Sequence, residues 1–270
     1  MNAHFTKINT SFLNKSRNFY GVSRVIESKS EEGSVRVLMN GTTDHGSQNI
    51  NDTPSFEPTM YYARDTGVGI LITQHPKYLK KEPMRIGVIG MGVGTLSGYC
   101  RPNDHFRYYE LNPDVARIAE TYFSYNAHCR ELGGNIDVVL GDGRLSLQKE
   151  LTMNSSQKFD VLVIDAFTDG VVPLHLLTQE AMRVYLAHLA EGGVIAFHVS
   201  NAYIDFPLAL ATVVRGMGLY TYMHHVLSAD WFFVSPSALS SPVFPEGYRP
   251  TTERSWTDNY SNILPFIKSW

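Results

Sequence analysis

Cysteine is scarce in this chain of 270 residues, with only Cys100 and Cys129. Their spacing fits no metal-ligand pattern, and two thiols in so long a chain suggest a reducing compartment rather than a disulfide framework. Excess charge of either sign is also missing. Lys and Arg number 23 against 26 Asp and Glu, scattered without a basic cluster, so the chain lacks the footprint that neutralises nucleic-acid phosphates. No apolar run reaches the roughly 18 residues that cross a bilayer, and residues 1–18 lack the apolar core of a secretory signal. The chain as given reads as soluble and cytoplasmic. The ten histidines form no H-E-x-x-H or H-x-H cluster, which argues against metal catalysis. No G-x-S-x-G turn occurs, which removes the usual Ser-His-Asp hydrolase. There is no internal repeat.

What remains is ordinary globular composition, 43% apolar and 18% charged, enough to build a core. Residues 19–26 and 34–39 are rich in β-branched and aromatic side chains and predict a hairpin. A Gly, Asn, Thr and Ser-rich stretch follows over 40–55, then a weak helical segment over 58–72 that Gly67 and Gly69 interrupt. From Met84 onward, short apolar runs at 85–90, 106–110, 136–140, 161–165 and 194–199 alternate with helical segments starting near Thr95, Pro113, Arg144 and Leu174. That alternation predicts a parallel sheet covered on both faces. The last of these helices is expected to run over 174–190. A helix over 207–215 and strands at 220–225 and 231–234 then supply the late antiparallel hairpin typical of methyltransferase-like sheets. The expected organisation is an N-terminal β-hairpin region, 1–57, before a Rossmann-like α/β catalytic domain of the class I methyltransferase fold, 58–270.

The first parallel strand runs into Gly90-Met91-Gly92-Val93-Gly94. Glycines in such a strand-to-helix turn let a nucleotide approach the backbone, where a Cβ would obstruct it. The spacing is G-x-G-x-G, without the G-x-G-x-x-G of dinucleotide sites, which favours an adenosyl-sulfonium nucleoside over NAD. Glu110 ends the second strand, where a carboxylate can accept hydrogen bonds from both ribose hydroxyls. Asp142 with Gly143 follows the third, where an acid can receive the adenine amino group; a plain Asp-Gly turn is the alternative. Asp165 ends the fourth strand at the carboxyl edge of the sheet and is the candidate reacting group, with Asp169 a second acid nearby.

With these residues the chain resembles the spermidine synthase family of polyamine aminopropyltransferases, in particular the bacterial branch often fused to transporter-like membrane segments. The resemblance rests on Arg17-Asn18-Phe19-Tyr20-Gly21-Val22, Asn40-Gly41-Thr42-Thr43-Asp44-His45-Gly46-Ser47-Gln48, Pro58-Thr59-Met60-Tyr61-Tyr62, the glycine loop, Asp165-Ala166-Phe167 and Trp256-Thr257-Asp258-Asn259-Tyr260. It implies that Gln48, Gly90, Gly92, Gly94, Glu110, Leu111, Asp142, Gly143 and Ala166 hold the nucleotide. It also implies that Tyr62 and Asp165 act in catalysis, and that Tyr61, Asp169, Trp256 and Asp258 line the amine site.

The implied reaction moves a 3-aminopropyl group from decarboxylated S-adenosylmethionine to an amine such as putrescine, releasing methylthioadenosine, without a metal. The implied assembly is a homodimer. Two features depart from the family pattern. Val93 stands where the family carries an aspartate that holds the ammonium of the decarboxylated nucleotide, and the D-x-x-D spacing is stretched to Asp165-x-x-x-Asp169. S-adenosylmethionine itself therefore stays open as substrate, for cyclisation, elimination or methyl transfer, as does an inactive nucleotide sensor.

Overall fold

The computed structural model describes residues 9–30, 33–41, 43–51, 53–167, 172–226, 229–239 and 250–268. Four N-terminal strands, β1 (Asn9–Asn18), β2 (Gly21–Ser30), β3 (Gly33–Asn40) and β4 (Thr43–Asn49), pair antiparallel in sequence order. The expected hairpin is β2–β3. Its flanking strands were not expected, because β1 (NTSFLNKSRN) and β4 (TDHGSQN) are mostly polar and carry few β-branched residues. They form because β2 and β3 offer edges to pair with, so tertiary context overrides weak propensity. Val25 and Leu38 are the buried apolar residues of this sheet, and they join Val93, Val115, Ile118, Phe123 and Tyr125 in one apolar cluster. The N-terminal sheet thus packs directly on the glycine loop.

The second sheet has seven strands: β5 (Arg85–Ile89), β6 (His105–Glu110), β7 (Asn135–Leu140), β8 (Phe159–Ile164), β9 (Leu189–His198), β10 (Tyr220–Val226) and β11 (Ala229–Ser235), in the order β10-β11-β9-β8-β5-β6-β7. The first five run parallel, and β11 and β10 are antiparallel. This is the mostly parallel sheet with a late hairpin read from the sequence. Every residue of β8 is buried, as its unbroken apolar run requires of a strand covered on both faces. Alternate side chains divide between two cores: Leu162 and Ile164 lie in one, Val161 and Val163 in the other.

The helices are α1 (Gly67–Thr73), α2 (Pro76–Leu79), α3 (Pro113–Tyr122), α4 (Tyr125–Glu131), α5 (Gly143–Thr152), α6 (Gln179–Ala187) and α7 (Phe206–Val213). Caps fix where several begin. The Asn112 side chain accepts from the Asp114 N–H ahead of Pro113, and Asp205 accepts from Leu208 N–H.

Two expected helices change form. The segment after the glycine loop is a 3-10 helix, Thr95–Tyr99. The long helix over 174–190 is split: Leu174–Leu177 is a 3-10 turn, Thr178 turns extended and accepts from Ala181 N–H as the cap of α6, and the chain enters β9 at Leu189. The break sits at Thr178 because its hydroxyl donates to Asp258 (2.8 Å), so a residue 80 positions away, invisible to local periodicity, sets the boundary. Among the described residues no helix is long and apolar enough to cross a membrane.

The cysteine expectation is corrected. Cys100, after the 3-10 turn, and Cys129, on α4, form a disulfide with Cα atoms 5.3 Å apart across a separation of 29 residues. Spacing alone carries no sign of it, since the fold and not the sequence brings the two together. A cross-link closing a loop of this length is worth roughly 3–4 kcal/mol through the unfolded chain. Reduction of the purified protein is expected to lower Tm by on the order of 10 °C with the far-UV spectrum unchanged at 25 °C; an unchanged Tm refutes the cross-link.

Candidate active site

The glycine loop leaves β5 wedged between its neighbours. Gly90 N–H donates to Tyr109 O on β6 and Asp165 N–H donates to Ile89 O, both at 2.9 Å, so the sheet's bonding continues past the strand ends. Gly90 has φ +92°, and a Cβ there would lie 2.3 Å from the Asp165 carbonyl oxygen. Gly92, at φ +53°, would set a Cβ 2.5 Å from the carbonyl oxygen of His45 on β4. Glycine is required at both positions for conformation and for space.

Beside the loop, Glu110 Oε2 accepts from Met91 N–H (2.9 Å) and Oε1 from Asn112 N–H (2.8 Å). Burial pushes the Glu110 carboxyl up, countered in part by these amides. Leu111 follows with half its surface exposed, an apolar side chain on the same edge. Asp142 caps α5 through Leu145 N–H (2.8 Å) and meets His175 Nε2 at 2.8 Å. The His175 hydrogen bond is the main cause holding the Asp142 carboxyl below its usual range. Gly143 lies against Ile89, with no room for a Cβ. Gly90, Gly92, Gly94, Glu110, Leu111, Asp142 and Gly143 therefore share the carboxyl edge of β5, β6 and β7, where open α/β sheets bind ligands.

Across the loop, on the β8 and β9 side, a cavity of about 160 Å³ opens onto Gly92, Asp165 and the N-terminal sheet. The Asp165 side chain is only 3% exposed. Its Oδ2 accepts a hydrogen bond from the Tyr62 hydroxyl, and its Oδ1 lies 2.8 Å from His198 Nδ1. Burial first, then the Asp165 charge, pushes the phenols of Tyr61 and Tyr62 well above their ordinary value, so both stay protonated. Tyr62 itself is fixed through its carbonyl, which accepts from Tyr99 OH at 2.5 Å. Ala166 follows Asp165, partly buried, beside Gly90.

Six lining residues, Thr43, Asp44, His45, Phe167, His198 and Ser200, were given no role from the sequence. His198 ends β9, stacked on Tyr61 (4.3 Å between ring centroids) and on Trp231 (5.0 Å), with Phe167 edge-on. Its Nε2 is 2.9 Å from Ser200 Oγ. A search for metal motifs passes over a lone histidine, yet its place at the carboxyl end of the fifth parallel strand, level with Asp165, was a usable signal. Asp44 and His45 lie in the Gly, Asn, Thr and Ser-rich stretch, within a motif quoted for the resemblance but without a role assigned. Burial lowers the His45 imidazole despite the nearby Asp165 and Asp44, so it is neutral near pH 7.

Other expected residues are engaged elsewhere. Gln48 is buried, its Nε2 donating to Ser124 Oγ (2.8 Å) and Ser55 O (3.0 Å) and its Oε1 accepting from Ser124 N–H, which ties β4 to the start of α4. Trp256 is buried in the core with Nε1 donating to Asn262 O. Asp258 receives both terminal nitrogens of Arg144 and the Thr178 hydroxyl. None of the three lines the cavity; their polar groups pair with protein atoms and anchor segments instead. Asp169 lies outside the described residues. Among those residues, no cluster of three or more metal-ligating side chains occurs.

No family model matches the sequence. The chain is 31% identical over 148 residues to a polyamine aminopropyltransferase of Vibrio vulnificus, 53% of this chain and 45% of that protein. It thus spans less than half the length of that relative. Among solved structures it is similar to spermidine synthase from Thermotoga maritima, with a TM-score of 0.56 at 19% identity over 89% of this chain and 77% of the other. It is also similar to a probable spermidine synthase from Corynebacterium glutamicum, with a TM-score of 0.65 at 13% identity over 92% and 97%. The fold is the class I methyltransferase and spermidine synthase fold. Within that fold, the chain's sequence relatives include proteins named polyamine aminopropyltransferase.

Gly90→Ala is expected to force β5 and β8 apart at their carboxyl ends. The variant should lose more than tenfold in affinity for S-adenosyl nucleotides by calorimetry and roughly 2 kcal/mol or more in stability; wild-type affinity would show that the loop does not hold the ligand.

Proposed function

We propose that the chain transfers an aminopropyl group from decarboxylated S-adenosylmethionine to a small amine, releasing methylthioadenosine. The observation that carries this reading is the buried Asp165 carboxylate, held by Tyr62 and His198 beside the glycine loop in a cavity with a second carboxylate, Asp44, and, among the described residues, no Lys or Arg on its wall. Such a wall selects a cation. An ammonium entering a poorly hydrated cavity is attracted more strongly than in water, and a basic group within reach can accept its proton and free the lone pair for attack.

In this reading the nucleotide lies over Gly90, Gly92 and Gly94, with Glu110 toward the ribose and Asp142 toward the adenine edge. The amine occupies the Asp165 cavity, with Tyr61 and Tyr62 as its walls. As the amine nitrogen bonds to the methylene carbon beside the sulfonium, the C–S bond breaks and neutral methylthioadenosine departs. The leaving group is already activated by its positive charge, so the chain's contribution is to position the amine and take up its proton. Sequence similarity to polyamine aminopropyltransferases supports this choice.

A second reading has a specific observation behind it. Val93 is 1% exposed and packs with Val25 and Leu38, so the loop presents no acid of its own to the ammonium of a decarboxylated nucleotide. That favours S-adenosylmethionine itself as the substrate, reacting internally or by methyl transfer.

Incubation with each nucleotide, with and without putrescine, and product identification by mass separates these readings. Spermidine with methylthioadenosine is expected from the decarboxylated form. Methylthioadenosine from S-adenosylmethionine without added amine establishes the second reading, S-adenosylhomocysteine means methyl transfer, and no product means a sensor. Asp165→Asn is expected to retain nucleotide binding and lose at least a hundredfold in kcat; unchanged turnover removes Asp165 from the mechanism.

A further inference from the structure

Asp165 continues into a hydrogen-bonded chain through His198 and Ser200, two side chains that the reaction above leaves without a task. Asp165 Oδ1 lies 2.8 Å from His198 Nδ1, and His198 Nε2 lies 2.9 Å from Ser200 Oγ. All three line the cavity. The imidazole is held flat between the rings of Tyr61 and Trp231, so its two nitrogens point along this line and nowhere else. Trp231 is in turn fixed by its Nε1–H, which donates to Tyr61 O at 3.1 Å.

Accounting for hydrogens fixes the direction of the chain. Ser200 Oγ already accepts from Asp230 N–H at 2.8 Å. A hydroxyl has one hydrogen and two acceptor sites. With the hydrogen on His198 Nε2 and one lone pair on Asp230 N–H, one lone pair of Ser200 is left to face the cavity. A carboxylate can only accept, so Asp165 takes Nδ1–H as its donor, and in the neutral imidazole Nε2 then accepts from the Ser200 hydroxyl. This is the Asp-His-Ser order in which a carboxylate orients an imidazole and stabilises it once protonated, without itself taking the proton.

We propose that the proton lost by the attacking amine comes to rest on His198, reaching it through Ser200, while Asp165 stays ionised. The inference rests on the transfer reading given above and refines the part played by its carboxylate. The ammonium first gives a proton to Ser200 Oγ while the Ser200 hydroxyl proton passes to His198 Nε2, and the nitrogen lone pair so freed forms the C–N bond as the C–S bond breaks. The resulting imidazolium is paired with the Asp165 carboxylate through Nδ1–H. The proton returns to solvent by the reverse path through Ser200 after the products leave. Charge is conserved at every stage, and no oxidant, metal or further reactant is needed. Tyr62, donating to the other oxygen of Asp165, keeps that carboxylate turned toward His198 in both states.

The test uses the full chain, with the nucleotide and amine that the wild type turns over. His198→Gln preserves much of the volume and the hydrogen-bonding capacity of the ring but cannot hold a proton. It is expected to lower kcat by about a hundredfold while the KM for the amine and the affinity for nucleotide change less than threefold. His198→Ala opens a ring-sized space between Tyr61 and Trp231, and added imidazoles should restore its turnover in the order of their basicity. A merely structural role gives no such order. Wild-type kcat in His198→Gln, or rescue that ignores basicity, overturns the relay while leaving transfer at Asp165 in place. Covalent capture of Ser200 by a fluorophosphonate overturns it too, by making the hydroxyl a nucleophile. Failure of the wild type to turn over any sulfonium nucleotide removes the transfer reading and the relay together.

Discussion

A single carboxylate, buried at the end of the central strand β8, places the strictest demand on this structure. An unpaired charge with 3% of its side chain exposed would cost several kcal/mol, on the order of the stability of a whole domain. Asp165 avoids that penalty only because donors reach it from two distant segments. Tyr62 comes from the connection ahead of α1, and His198 from the end of β9. Each donor is secured in turn, Tyr62 by Tyr99 through its carbonyl and His198 by stacking on Tyr61 and Trp231. The sheet, the N-terminal connection and the late hairpin are therefore coupled at one group, and that group lies against the loop that approaches it most closely, at Gly90.

The N-terminal sheet belongs to the same arrangement. β4 crosses the glycine loop with the His45 carbonyl over Gly92, and Gly46 fits against Val93, where a Cβ would stand 2.7 Å from a valine methyl. One wall of the cavity is thus built from residues some 120 positions away from Asp165. Asn18, at the end of β1, extends the contact by donating to Asn112 (2.7 Å) and Asp114 (3.0 Å) at the start of α3.

What was legible in the sequence follows from how local each signal was. The five parallel strands were visible as short apolar runs, unbroken in β8 because it is buried on both faces and present in β7 although no residue there is fully buried, and the glycine loop because its constraint lies within five residues. Glu110 and Asp142 could be placed by counting from strand ends. Other features depend on partners far away in the chain. β1 and β4 are polar strands stabilised by neighbours, the break at Thr178 is set by Asp258, and the disulfide joins residues that only the fold brings together. His198 was missed for a different reason. One histidine at a strand end looks like any other until its neighbours show that a carboxylate, a hydroxyl and two aromatic faces converge on it.

The same reasoning explains why Val93 is not a simple gap in an otherwise acidic site. Its side chain is 1% exposed and clustered with Val25, Leu38 and Ile118, so a carboxylate in its place would sit in hydrocarbon without a partner. The cost, roughly several kcal/mol, would fall on the seam between the two sheets. Apolar packing at position 93 therefore excludes charge from the loop, and the negative potential of the cavity has to come from outside it. It comes from both sides of the seam: Asp44 at the start of β4, exposed and free to meet an entering cation, and Asp165 at the end of β8, buried and held in a fixed direction. An exposed acid at the mouth and a buried, hydrogen-bonded one at the base suit a site that first gathers a cation and then orients it.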